Sequence, residues 1–209
     1  MSALRKMGQS LRRHYRDNRG IYILILFFFI IGLASGIATA TQVSPLRRGE
    51  LSAYFSNVSF AARRGEIRGV DSFWQSALHN FRVTLVMAIG AVSIPMLMFC
   101  AAALVLEGFI FGFSAASMGL LFGFRGIMYT IVILFPAHII AWLCFFEMGC
   151  ACTRFAIKSR TLKRNAVASA QQKALMSDWL LYMLILFAGT LIASLLNMAM
   201  MPQLMKLLT

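Results

Sequence analysis

The sequence predicts an all-α polytopic membrane bundle, with about five transmembrane helices at roughly 20 residues per crossing plus interfacial amphipathic helices. Three observations carry that expectation. Residues 78–156 form one nearly unbroken apolar block, too long for a soluble core. Only 13% of the chain is charged while 60% is hydrophobic, where soluble chains carry about 25% charged residues. The mean hydropathy is +0.76. Lipid cannot hydrogen-bond stray backbone, so such a block folds as helices that satisfy their own N–H and C=O groups.

The charge balance excludes one class of partner. Lys+Arg is 20 and Asp+Glu is 7, a net charge of +13. A soluble protein with that excess would suggest nucleic acid, but no basic domain exists here to carry it. The cations flank apolar runs instead, where each gains about 1 kcal/mol beside anionic lipid. Anionic membrane lipids are therefore the expected partners, and nucleic acid is not.

Residues 1–20 form a basic arm with Arg5, Lys6, Arg12, Arg13, Arg16 and Arg19 against Asp17. Leu4, Met7, Leu11 and Tyr15 recur at helical spacing, so the arm reads as a surface helix or as a solvated tail. From residue 21 onward the chain reads as one transmembrane domain, 21–209. The first span is 21–40. Ala38-Thr39-Ala40 looks like a leader-cleavage site, but the apolar run is longer than a leader core, so the span is expected to stay. Its Gly32 and Gly36 form a G-x-x-x-G, which permits close helix contact within the chain or in a homodimer.

Residues 41–80 read as an outer loop with two interfacial helices. Leu51, Tyr54, Phe55 and Val58 share one face, and Phe73, Trp74, Ala77, Leu78 and Phe81 another, separated by a turn at Arg63-Arg64-Gly65-Glu66. A second span follows at 82–106, kinked by Pro95 because proline removes a backbone donor and crowds the preceding turn. The third span, 107–124, holds Gly108, Gly112, Gly119 and Gly123. Two readings stand for it: tight packing in the bundle centre, or a re-entrant helix lining a cavity. The fourth span is 127–150, with Pro136 as a second kink and His138 able to donate to a freed carbonyl. A basic inner loop covers 151–178. Ser177 or Asp178 caps the last span, 179–200. The odd number of crossings and the positive-inside rule place the N-terminus in the cytoplasm.

The candidate functional residues are the polar groups inside apolar runs, since an ionisable side chain there costs about 2.5–3.5 kcal/mol. Glu107 sits where it can cap the third helix. Glu147 is expected to pair with Arg154. His138 is the deepest ionisable group, and Asn197 reads as interhelical glue. Cys100, Cys144, Cys150 and Cys152 lie in apolar runs and make no disulfide framework or metal set. Neither H-E-x-x-H nor G-x-S-x-G is present. No enzyme activity, cofactor, metal or catalytic residue is expected.

One further pattern runs through the block. Leu78-His79-Asn80-Phe81-Arg82 ends the loop, Glu107-Gly108 is followed by Gly112, and Phe135-Pro136-Ala137-His138 comes later. In this order the chain resembles the stage II sporulation protein M family of bacterial integral membrane proteins, with His79 and Asn80 as family-like residues. The resemblance implies a multi-pass protein of the bacterial inner (cytoplasmic) membrane. It also implies a non-enzymatic scaffold for a protein complex containing two peptidoglycan hydrolases, stage II sporulation proteins D and P. A competing expectation is a permease or transporter subunit, with a separate cytosolic ATPase docking on residues 154–173. A weaker third is a lipid-binding, membrane-shaping protein.

Overall fold

The computed structural model describes residues 15–64, 69–164 and 169–207. Most of the basic arm and the Gly65-Glu66 half of the expected turn lie outside them. Helix α1 is Arg19–Thr41, α2 Pro45–Arg63, α3 Gly69–Gly90 and α4 Leu97–Phe122. A short α5, Phe124–Tyr129, leads through a π-helical turn, Thr130–Leu134, into α6, Phe135–Arg164. Helix α7 is Ser169–Leu207. The described residues contain no strand.

Four segments are long and apolar enough to cross a membrane: 19–41, 97–122, 138–162 and 170–199. Their lipid-facing sides are rich in exposed Ile, Leu and Phe, as at Ile23, Phe27, Leu106 and Leu184. The core is small by comparison. Phe145, Met87, Leu104 and Met148 are its largest fully buried side chains. In lipid, apolar burial does not drive helix association, so close packing and polar contacts must hold the bundle.

The α1–α4 pair shows how. The two helices run parallel, with Gly32 against Val105, Gly36 against Phe109, Gly108 against Phe29 and Gly112 against Leu33. A Cβ at any of these four glycines would strike a carbonyl oxygen of the opposite helix. Both G-x-x-x-G motifs thus face each other within one chain, and these glycines are not free to join two copies.

Several boundaries differ from the sequence reading. The span expected at 82–106 is two helices: α3 ends at Gly90, residues 91–96 turn, and α4 starts at Leu97. Pro95 does not kink a span; it sits in that turn. It has no N–H to continue a helix, and it drives the residue before it away from helical geometry. Glu107 consequently lies inside α4 rather than at a helix start. Residues 107–122 complete one continuous helix, so no re-entrant segment forms there. Gly119 has only an ordinary contact with Ile127, whereas Gly123 adopts φ +59° and reverses the chain. At the reversal Gly126 packs on the Met118 carbonyl, too close for a side chain.

The second expected interfacial helix is the first half of α3, and it enters the bundle. Its buried face is Ala77, Asn80, Val83 and Met87, while Trp74, Leu78 and Phe81 are exposed. The fourth span does not stop at residue 150. Helix α6 runs to Arg164, burying Cys152, Ala156 and Ser159, so most of the expected basic loop is helix. Ser177 and Asp178 do not cap α7, which begins at Ser169, because Ala, Gln, Lys and Leu extend it backward. Pro136 does follow an irregularity: the π-helical turn widens the helix where the proline ring would meet the preceding turn.

Candidate functional site

The interior polar groups collect on α3. His79 Nε2 lies 2.6 Å from Glu107 Oε1 of α4. Glu107 is 8% exposed, whereas half of the His79 side chain remains open. A carboxylate buried in the middle of a membrane-length helix needs a donor, and the imidazole supplies one at charge-assisted distance. The residues that position the pair are close in sequence to it. Glu107 precedes Gly108, whose contact with Phe29 fixes this stretch of α4 against α1.

Asn80, the next residue on α3, is 4% exposed and faces the opposite neighbour. Its Nδ2 donates to the Thr190 carbonyl at 3.1 Å and to Ser194 Oγ at 3.0 Å. Ser76 and Ser194 hydroxyls meet at 3.1 Å, and Asn197 Nδ2 donates to Ser76 Oγ at 3.3 Å. This ladder joins α3 to α7 along their length. Adjacent residues His79 and Asn80 therefore hold α3 on two sides, one to α4 and one to α7.

His138 completes the group from α6. It stands beside Phe111 and Trp142, with ring centroids 5.9 and 5.8 Å away, and both Glu107 and His79 act on it electrostatically. Phe111 and Trp142 are themselves edge-on at 4.6 Å, and Phe29 packs on Trp142 at 5.0 Å. His138 thus sits against an aromatic wall. Among the described residues, no three His, Cys, Asp or Glu side chains are arranged to hold a metal ion.

A second node lies toward the α1 N-terminus. Glu147 Oε1 accepts a hydrogen bond from the Tyr15 hydroxyl at 2.7 Å, and Oε2 accepts from Tyr22 at 2.8 Å and Tyr182 at 3.3 Å. The sequence reading assigned Glu147 to Arg154 and did not anticipate these tyrosines. They come from two stretches of chain, Tyr15 and Tyr22 at one end and Tyr182 near the other, both far from Glu147, so no local spacing reveals them. Tyr15, outside the spanning segments, is pushed up to about 12 by its bond to Glu147. The four cysteines are free thiols; Cys100, Cys150 and Cys152 are buried.

The geometry places His79, Glu107 and His138 together although nearly sixty residues separate the first and last, with Asn80 turned to α7 from the next position. The same residues carried the pattern noted in the sequence. The family described as Stage II sporulation protein M matches residues 25–197. The chain belongs to this family. The match spans α1 through most of α7, so the polar cluster and both glycine pairs fall inside it. No curated protein and no solved structure matches the chain. A stage II sporulation protein M family member is a membrane protein, in agreement with the four long apolar helices.

Proposed function

We propose that this stage II sporulation protein M family member is a non-enzymatic membrane scaffold that holds a partner protein complex through α2. The observation that carries the reading is how α2 is mounted. Arg48 donates from Nη2 to the Thr41 carbonyl at 2.8 Å and from Nε to the Val43 carbonyl at 2.9 Å, satisfying groups at the C-terminal end of α1. Phe55 packs edge-on against Phe122 at the end of α4. The helix is thereby fixed to the bundle while Leu46, Tyr54 and Phe60 point outward. A rigid amphipathic helix at one end of a bundle suits docking.

In this reading the protein is multi-pass in the bacterial inner membrane, with its N-terminus cytoplasmic and α2 on the outer side. Peptidoglycan hydrolases are the partners that this side would meet. The test replaces Leu46, Tyr54 and Phe60 together by serine and purifies the protein from its host in mild detergent. Hydrolases recovered with the parent protein should be lost from the variant, with the bundle still monodisperse. Equal recovery would defeat the proposal.

The convergence of His79, Glu107 and His138 supports a second reading: a permease or transporter subunit driven by a separate cytosolic ATPase. Ionisable groups brought together inside a bundle are what a translocation path uses. Glu107→Ala and His138→Ala should then abolish transport in reconstituted vesicles without lowering expression. Full transport in both variants would exclude a path through these groups.

A further inference from the structure

A cavity opens at the end of the bundle away from α2. It lies between the turn at residues 91–96 and the last turns of α6, with a volume of about 390 Å³. The turn contributes Val92, Ser93, Ile94 and Pro95, and α6 contributes Ser159 and Arg160. The volume is within the range of small-molecule sites, roughly 300–1,000 Å³.

Its chemistry is two-sided. Val92, Ile94 and Pro95 make an apolar wall. Opposite stands the Arg160 guanidinium, a planar donor suited to phosphate oxygens. Ser159 is 7% exposed, and among the described residues no hydrogen bond engages its hydroxyl. The residue is buried but its hydroxyl oxygen is not closed off, so it can donate to a ligand oxygen in the cavity. The N-terminus of α4 also begins here. Met96 provides no side-chain cap and the first turn carries no acid, but the Leu97, Met98 and Phe99 N–H groups already donate to the Ile94, Pro95 and Met96 carbonyls, so the helix adds only its dipole. Every polar contribution favours an anion, while the wall favours a hydrocarbon.

We propose that this cavity binds the phosphate headgroup of an anionic phospholipid, with Arg160 and Ser159 on the phosphate and the acyl chains leaving along the apolar wall. The position agrees. Arg160 lies within the last turn of the 138–162 segment, where a spanning helix meets the headgroups. Arg160 is exposed like its neighbour Lys158, but Arg160 lines the pocket and Lys158 does not.

The test uses the full chain in mild detergent, titrated with phosphatidylglycerol, phosphatidylcholine or sodium phosphate, with bound molecules counted by native mass spectrometry. The expected result is one tightly retained phosphatidylglycerol, little phosphatidylcholine and no competition by phosphate. Arg160→Gln should weaken phosphatidylglycerol binding about tenfold, the size of one charge-assisted hydrogen bond. Ser159→Ala should weaken it by a smaller factor, and Lys158→Gln should leave it unchanged. Thermal melting of each variant in detergent separates binding from folding. If Arg160→Gln fails to fold, the contrast between Ser159→Ala and Lys158→Gln decides. Equal losses in the variants, or unchanged affinity in both Arg160→Gln and Ser159→Ala, would overturn the site. Phosphate binding as well as the lipid would overturn the lipid assignment.

Discussion

His79 and Glu107 stand 2.6 Å apart between two antiparallel helices, and the imidazole is the hydrogen-bond partner of a carboxylate belonging to a residue that is 8% exposed. Removing the donor leaves the carboxylate buried. His79→Ala should therefore destabilise the bundle by roughly 1–3 kcal/mol. Adding Glu107→Gln to that variant should recover part of the loss, because an amide is cheaper to bury than a charge. Unfolding in a denaturing-detergent titration measures both. Equal stability of His79→Ala and the parent would show that the pair does not hold α3 to α4.

The glycines of α4 separate by their neighbours. Gly112→Ala would drive a Cβ into the Leu33 carbonyl of α1, so the helices must part and the thermal midpoint should fall by several degrees, the order expected for 1–3 kcal/mol of overpacking. Gly119→Ala meets only Ile127 Cγ1 at 3.5 Å. It should be neutral or stabilising by up to about 1 kcal/mol through helix propensity. Midpoints of the two variants in one detergent check the order.

The α3–α7 ladder has a ranking of its own. Asn80→Ala loses two hydrogen bonds, while Ser194 Oγ keeps Ser76 and the Thr190 carbonyl as partners. Asn197→Ala loses one bond of 3.3 Å to Ser76. With interhelical bonds in membranes averaging about 0.6 kcal/mol, Asn80→Ala should cost about twice as much as Asn197→Ala. The same unfolding titration reads the difference.

The Glu147 node gives an alkaline signature. Tyr15 titrates near 12 in the folded protein against an ordinary 10. A raised tyrosine pKa means that the folded state keeps its proton longer. The stability it contributes is complete below pH 10 and is lost as the pH rises from 10 to 12. Tyrosinate absorbance of the parent and Tyr15→Phe, taken through that window, should differ by one late-titrating group. Glu147→Gln should move that group back toward 10.

Much of this protein is legible before folding is considered. A 13% charged chain with long apolar runs must become membrane-length helices, because lipid leaves the backbone no other partner. The G-x-x-x-G pairs at Gly32 and Gly36 and at Gly108 and Gly112 announced close packing by their spacing alone. The sequence also singled out Glu107, His138, Glu147 and Asn197 as polar groups in apolar surroundings, and His79 and Asn80 by their family-like pattern.

Partners and boundaries were decided elsewhere. Hydropathy ran unbroken across Pro95, so the hairpin between α3 and α4 was hidden in what looked like one span. The face of α3 was misread because its buried residues include Asn80, a polar side chain that periodicity assigns to solvent and that α7 satisfies. No local spacing could join His79 to Glu107 or bring Tyr15, Tyr22 and Tyr182 to Glu147. The physical reason is the same in each case. Apolarity is a property of single residues and is written along the chain. A buried hydrogen bond belongs to two residues on different helices, and it exists only once the glycine contacts and turns have set those helices side by side.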